Sequence, residues 1–280
     1  MMTFPVPSTA AEALLMRLKV NGVDYLFGNA GTDFAPVIEA YANAPLKNMP
    51  VPEPLVIPHE CAAIGMAHGY YLATGRPQAA MVHVNVGLAN SVMGLINMAS
   101  DNIPLFMMAG RTPLTEHERT GARMTPIQYG QEMRDQTGLI RDVVKWDYEL
   151  RYPEQVASLV DRGMAITKSA PAGPVYLGLP REPLAEPWPD GLAIDNALQA
   201  IPTRPAPDPE AVLQAARWLE KAHHPLIICQ RGEPGGRLSQ VLSELAAKHG
   251  IPVVENFSVQ NLLPSAHPMQ SGFDAGTWLK

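Results

Sequence analysis

Two ionisable side chains stand where an extended, apolar run gives way to a helical one. The first is Glu60, in Pro58-His59-Glu60-Cys61-Ala62-Ala63. A carboxylate at a helix start is favoured by the helix dipole by about 0.3–1 kcal/mol. If buried, it is also a candidate general acid–base. His59-Glu60 begins the zinc-protease pattern H-E-x-x-H, but Ala63 stands where the second histidine is required, so no zinc site is expected. The second side chain is His83, at the end of the apolar run 79–84. A lone histidine on an apolar strand is usually a hydrogen-bonded core residue. Its other reading is proton transfer near neutral pH.

Small residues crowd the helices that follow these positions. Ala62, Ala63, Gly65, Ala67 and Gly69 come after Glu60, and Gly87, Ala89, Ser91, Gly94 and Ala99 form a second group. Each glycine costs a helix about 1 kcal/mol relative to alanine. Such density is tolerated where another backbone or a ligand must come close. Two tightly packed helices at a subunit interface, beside a carboxylate, are therefore expected.

These residues need a frame. Thr9 and Glu12 make a capping-box pair, with Leu14, Leu15 and Leu18 on one helical face behind them. Strands are predicted at 25–27, 55–57, 79–84, 104–108 and 175–179, and helices at 60–72, 89–99 and 153–168. Strands apolar throughout, alternating with helices, predict an α/β fold: a mostly parallel sheet with helices on both faces. This first domain is placed at 1–182. A proline-rich linker follows at 183–202. At 203–280 a second alternation begins, with Asp208 capping a helix whose apolar face is Val212, Leu213, Ala216 and Leu219. Two strands and two helices make only part of a second α/β domain. The run from Gly232 to Gly236 precedes a helix there. It is read mainly as a turn, with FAD or another nucleotide phosphate as the alternative.

Composition narrows the function classes. The chain is 46% hydrophobic and 17% charged, which supports a sizeable core, and its net charge of -6 argues against a nucleic-acid partner. Cys61 and Cys229 lie too far apart in sequence for a zinc or disulfide pattern. No secretory start or membrane-spanning run is apparent, so a cytoplasmic protein is expected, without membrane partners.

The string from Glu60 through Gly69-Tyr70-Tyr71-Leu72-Ala73-Thr74-Gly75-Arg76-Pro77 resembles the E-x-x-x-x-x-x-A-x-G-Y-x-x-x-x-G-x-P segment of thiamine-diphosphate-dependent enzymes. It is similar to that of acetohydroxyacid synthase and of benzoylformate decarboxylase. Phe27-Gly28-Asn29-Ala30-Gly31-Thr32, Gly87 with Asn90, Asn102-Ile103-Pro104-Leu105, Val144-Lys145-Trp146 and Gly173-Pro174-Val175-Tyr176-Leu177 extend the likeness. It covers nearly the whole chain and is strongest over 8–180.

The resemblance implies thiamine diphosphate as cofactor. In that family the glutamate matching Glu60 hydrogen-bonds N1′ of the aminopyrimidine and drives the tautomer shift that activates the thiazolium, the electron sink for loss of CO2. Gly31, Gly87 and Asn90 are implied near the cofactor. His83 matches the spacing of a substrate-handling histidine in benzoylformate decarboxylase. Thr32 falls where that enzyme has a serine that meets the substrate carboxylate. Gln131, in Tyr129-Gly130-Gln131-Glu132, matches the active-site glutamine of acetohydroxyacid synthase. The expected activity is decarboxylation of a 2-oxo acid, with or without carboligation. Acetolactate synthesis is the alternative reaction, and a non-catalytic or regulatory subunit the rival class.

The family holds the diphosphate and its Mg2+ on a separate domain bearing Gly-Asp-Gly and a later asparagine pair. Neither Gly-Asp-Gly nor Asn-Asn occurs in these 280 residues. Mg2+ is thus expected on a part of the protein outside this chain, on the same gene or a second polypeptide, with no metal ligands here. A homo-oligomer, dimer or tetramer, is implied because the family's site lies between subunits.

Overall fold

The computed structural model describes residues 5–194, 197–203, 205–233 and 235–278. The chain forms two units, Met1–Tyr71 with Arg76–Pro202, and Leu72–Gly75 with Thr203–Lys280.

In the first unit the elements run α1 (Ala10–Val20), β1 (Tyr25–Asn29), α2 (Ala35–Lys47), β2 (Glu53–Val56), α3 (Glu60–Thr74), β3 (Gln78–Val82), α4 (Val84–Ser100), β4 (Leu105–Arg111), α5 (Ile127–Gly130), β5 (Asp147–Glu149), α6 (Val156–Lys168), β6 (Val175–Pro180) and α7 (Arg181–Ala185). All strand pairs are parallel, in the order β2-β1-β3-β4-β6-β5. The expected α/β architecture is therefore present. Side-chain alternation shows why both faces must be covered. Ala79 and Met81 of β3, Phe106 and Met108 of β4 and Val175 and Leu177 of β6 join one core with α1, α2 and α6. Ala80, Val82, Leu105 and Met107 are equally buried but point the other way. On that side, Ile64 of α3 packs so closely on α4 that a Cβ at Gly94 would overlap it.

Several sequence-derived boundaries shift. β2 is Glu53–Val56 rather than 55–57. β3 ends at Val82, and His83 is the N-cap of α4, which begins at Val84 rather than at 89. The apolar run 79–84 conceals that break because Val84 suits a strand and a buried helix start equally well. The stretch 183–202 holds the end of α7, and Trp188 and Ile194 pack into the first unit's core. Proline spacing does not reveal such anchors.

In the second unit are α8 (Pro209–Lys221), β7 (Ile227–Cys229), α9 (Arg237–His249) and β8 (Val253–Glu255), with β7 and β8 parallel. Asp208 accepts from Glu210 N–H at 2.9 Å and caps α8 as expected. Gly235 and Gly236 take left-handed φ values of 107° and 76° to turn the chain into α9, a backbone role only glycine fills easily. Pro234, inside that run, lies outside the described residues. Among the described residues no helix is long and apolar enough to cross a membrane.

Candidate active site

The strand order reverses between β1 and β3: the chain steps from β1 to β2 on one side, then to β3 on the other. In open parallel sheets the carboxyl ends of strands at such a point leave a crevice where ligands bind. The sequence-predicted carboxylate and histidine both lie there. β1 ends at Asn29 in register with Val82. The residue after Val82 is His83, and Glu60 opens α3 just beyond β2.

Glu60 is buried, with 6% of its surface exposed. Asn29 Nδ2 donates to its Oε1 at 3.0 Å, and Asn90 Nδ2 donates to its Oε2 at 3.1 Å. Each oxygen thus accepts one amide hydrogen, leaving a further lone pair on each. Gly87, one turn before Asn90, makes room for the carboxylate: a Cβ there would sit 3.2 Å from Oε1 and 3.0 Å from Val82 Cβ.

His83 is clamped from both sides. Its Nδ1 lies 2.5 Å from Asp33 Oδ1, and its Nε2 lies 2.9 Å from Gln131 Nε2. Asp33 sits in the single 3₁₀ turn Thr32–Phe34 after β1 and is 1% exposed. The hydrogen bond to Asp33 holds the His83 imidazolium above its ordinary range, partial burial opposes this, and the charges of Asp33 and Glu60 add to it. Close glycines shape this pair as well. A Cβ at Gly31 would overlap the His83 ring, and one at Gly110 of β4 would overlap the Asp33 carboxylate.

The structure therefore brings Glu60, Asn90, Gly87, Gly31, His83 and Gln131 to one sheet edge. Gly31, Gly87 and Asn90 serve here by positioning other residues: Asn90 holds Glu60, and the two glycines yield space. Thr32 is exposed at the turn, next to Asp33. Sequence reasoning missed Asn29 and Asp33 as site residues. Both flank the Gly31 signal, but their partners are 31 and 50 positions away, a separation that no local pattern encodes. Among the described residues, no three His, Cys, Asp or Glu side chains gather as a metal site.

Residues 8–139 match the family described as thiamine pyrophosphate enzyme, N-terminal TPP binding domain. Across 266 residues the chain is 27% identical to a sulfoacetaldehyde acetyltransferase of Rhodobacter capsulatus, covering 94% of this chain and 41% of that protein. It is 26% identical over 245 residues to a benzoylformate decarboxylase of Pseudomonas aeruginosa, covering 87% and 43% respectively. A solved structure of a putative thiamin diphosphate-dependent enzyme from Mycobacterium smegmatis superposes with a TM-score of 0.75 at 26% identity, over 95% of this chain and 48% of that one. Residues 8–139 belong to the N-terminal TPP-binding domain family of thiamine pyrophosphate enzymes, and the likeness to such enzymes extends over nearly the whole chain. The chain spans less than half the length of these relatives.

Proposed function

We propose that this chain supplies the pyrimidine-activating half of a thiamine-diphosphate enzyme that decarboxylates a 2-oxo acid, in the manner of benzoylformate decarboxylase. The observation that carries the reading is Glu60, a buried carboxylate held by two amide donors at the sheet's switch point with lone pairs to spare. Such a group suits a ring nitrogen with which it exchanges a proton. When bound, the thiazolium supplies the electron sink for loss of CO2. Asn29 and Asn90 aim Glu60, Gly87 gives it room, and His83 stands ready to move a proton at Nε2. Thr32 offers its hydroxyl to the substrate carboxylate.

The reading is tested on the complete protein with a panel of 2-oxo acids and Mg2+, by measuring CO2 release. Release without carbon–carbon bond formation supports it, whereas acetolactate from pyruvate supports the synthase reading, which the Gln131 segment favours. A regulatory subunit would release none, yet such a module has no need for a carboxylate braced by two asparagines. His83→Ala in the complete protein should lower kcat by about 10²-fold or more if His83 does general acid–base work. Normal turnover per folded molecule, with reduced stability, would instead leave His83 a core residue.

An assembly reading accompanies this. Ala62, Gly65, Met66, Gly69 and Ala73 form one exposed line on α3, and Val86, Ala89, Met93 and Ile96 form another on α4. Met66, Val86, Met93 and Ile96 are 45–56% exposed, an unusual density of apolar side chains for a solvated pair of helices. Small residues let a second backbone come close. Asn90 belongs to the same exposed line, so the face borders Glu60. We infer a homodimer through it. Sedimentation should show a dimer at micromolar concentration and a monomer for Met93→Glu, while a monomeric parent chain would remove this face as an interface.

A further inference from the structure

Asp33 is buried, and three elements converge to build its surroundings. The turn after β1 carries it, Gly110 of β4 yields the space it fills, and the start of α4 supplies its donors. Its Oδ2 accepts from Val84 N–H at 3.2 Å, and its Oδ1 meets His83 Nδ1. Val84 has φ of 37°, which a β-branched residue adopts only when its surroundings impose it. The carboxylate thus pins the backbone at the place where the histidine ring is aimed.

We propose that Asp33 is a positioning residue that fixes His83 with Nδ1 protonated, leaving Nε2 as the nitrogen that exchanges a proton with the reacting atoms. This rests on the reading of His83 as catalytic. A carboxylate only accepts hydrogen bonds, so the ring nitrogen facing it must carry hydrogen in both charge states. The second proton can then reside only on Nε2. Gln131 faces that nitrogen with its amide, and its Oε1 is buried without a partner. When Nε2 is bare, the amide N–H donates to it. When Nε2 is protonated, the amide turned over presents Oε1 as acceptor. The same three side chains therefore accommodate both states at rest, and because Nε2 has a single hydrogen-bonding position, Gln131 must turn aside when the reacting atoms meet it. In the transfer, the N–H bond at Nε2 breaks, its electron pair stays on the ring, and the Nδ1–H bond to Asp33 persists. Of the charged groups around the ring, Asp33 and Glu60 both favour the protonated form. Arg111, at the end of β4, is occupied by Glu149 and Glu132.

The test is a ¹⁵N NMR titration of the 280-residue chain, in which the His83 signal among eight histidines is identified by its loss in His83→Gln. The expected result is a neutral form protonated at Nδ1 and a midpoint above the ordinary histidine value of about 6.5. Asp33→Asn should shift the midpoint down, because an amide N–H facing Nδ1 favours the opposite tautomer. A neutral ring protonated at Nε2, or a midpoint at or below the ordinary value, overturns the proposal from the parent chain alone, even if the variant does not fold. In the complete protein, a step that needs protonated His83 is lost as pH rises through its pKa. Asp33→Asn should move that limb of the kcat/KM profile to lower pH. An unmoved limb in a folded variant also overturns the proposal. If the NMR result holds while His83→Ala turns over normally, the positioning stands and the catalytic reading of His83 falls.

Discussion

Glu60→Gln in the complete protein should fold as the parent does and lose most proton exchange at C2 of bound thiamine diphosphate, by about 10²–10⁴-fold. Glutamine keeps the length and shape of the side chain but cannot exchange a proton with a ring nitrogen. The cost to the fold is limited. An amide NH2 in place of one oxygen would face an NH2 of Asn29 or Asn90, and that asparagine can turn its amide over to present oxygen. One weakened hydrogen bond is worth about 1 kcal/mol. Glu60→Asp shortens the side chain by one methylene and draws the carboxylate away from both asparagines, so exchange should fall less than with glutamine. Hydrogen–deuterium exchange followed by NMR, with circular dichroism as the control for folding, makes the measurement. Exchange at the parent rate in Glu60→Gln would remove Glu60 from the activating role.

Much of this site was legible in the residues because it depends on local chemistry. Strands buried on both faces must be apolar throughout, so β3, β4 and β6 are visible as continuous runs. Helices that carry Gly87 and Gly94 signal close approach, and the structure shows what approaches: the Glu60 carboxylate at the first and Ile64 at the second. Glu60 and His83 were visible because each ends an apolar run, and such ends face the ligand edge of a parallel sheet. Asp33 was not visible. An aspartate after Gly31-Thr32 is as well suited to an ordinary turn, and only the sheet's register brings it to His83.

The second unit shows the complementary limit. The pattern of Val212, Leu213, Ala216 and Leu219 forecasts an amphipathic helix, and α8 forms with the expected cap. Yet none of its residues is buried in this chain; Val212 is 50% exposed and Trp218 67%. Periodicity reports that a face is apolar. What covers that face is a separate question of tertiary structure.

The 280-residue chain by itself is expected to bind thiamine diphosphate weakly or undetectably and to show no decarboxylase activity. The cofactor joins two small rings to a multiply charged diphosphate. Holding that charge takes Mg2+ on hard oxygen ligands, or several backbone N–H groups on one turn. The carboxylates near the site are held in place by protein donors and carry negative charge: Glu60 by Asn29 and Asn90, and Asp33 by His83 and Val84. Both would repel a diphosphate brought close without a cation between. On the proposed reading, the sheet edge offers the buried Glu60 carboxylate to a pyrimidine nitrogen, which suits one end of the molecule. The relatives it matches are more than twice its length. Supplying the remaining part, as one longer polypeptide or as a second chain, should restore binding and turnover together, and both should require Mg2+. Calorimetric titration with the cofactor, with and without Mg2+, separates the outcomes. Tight, Mg2+-dependent binding by the 280-residue chain would place the diphosphate site within it and end the half-site reading, whatever the result for Glu60.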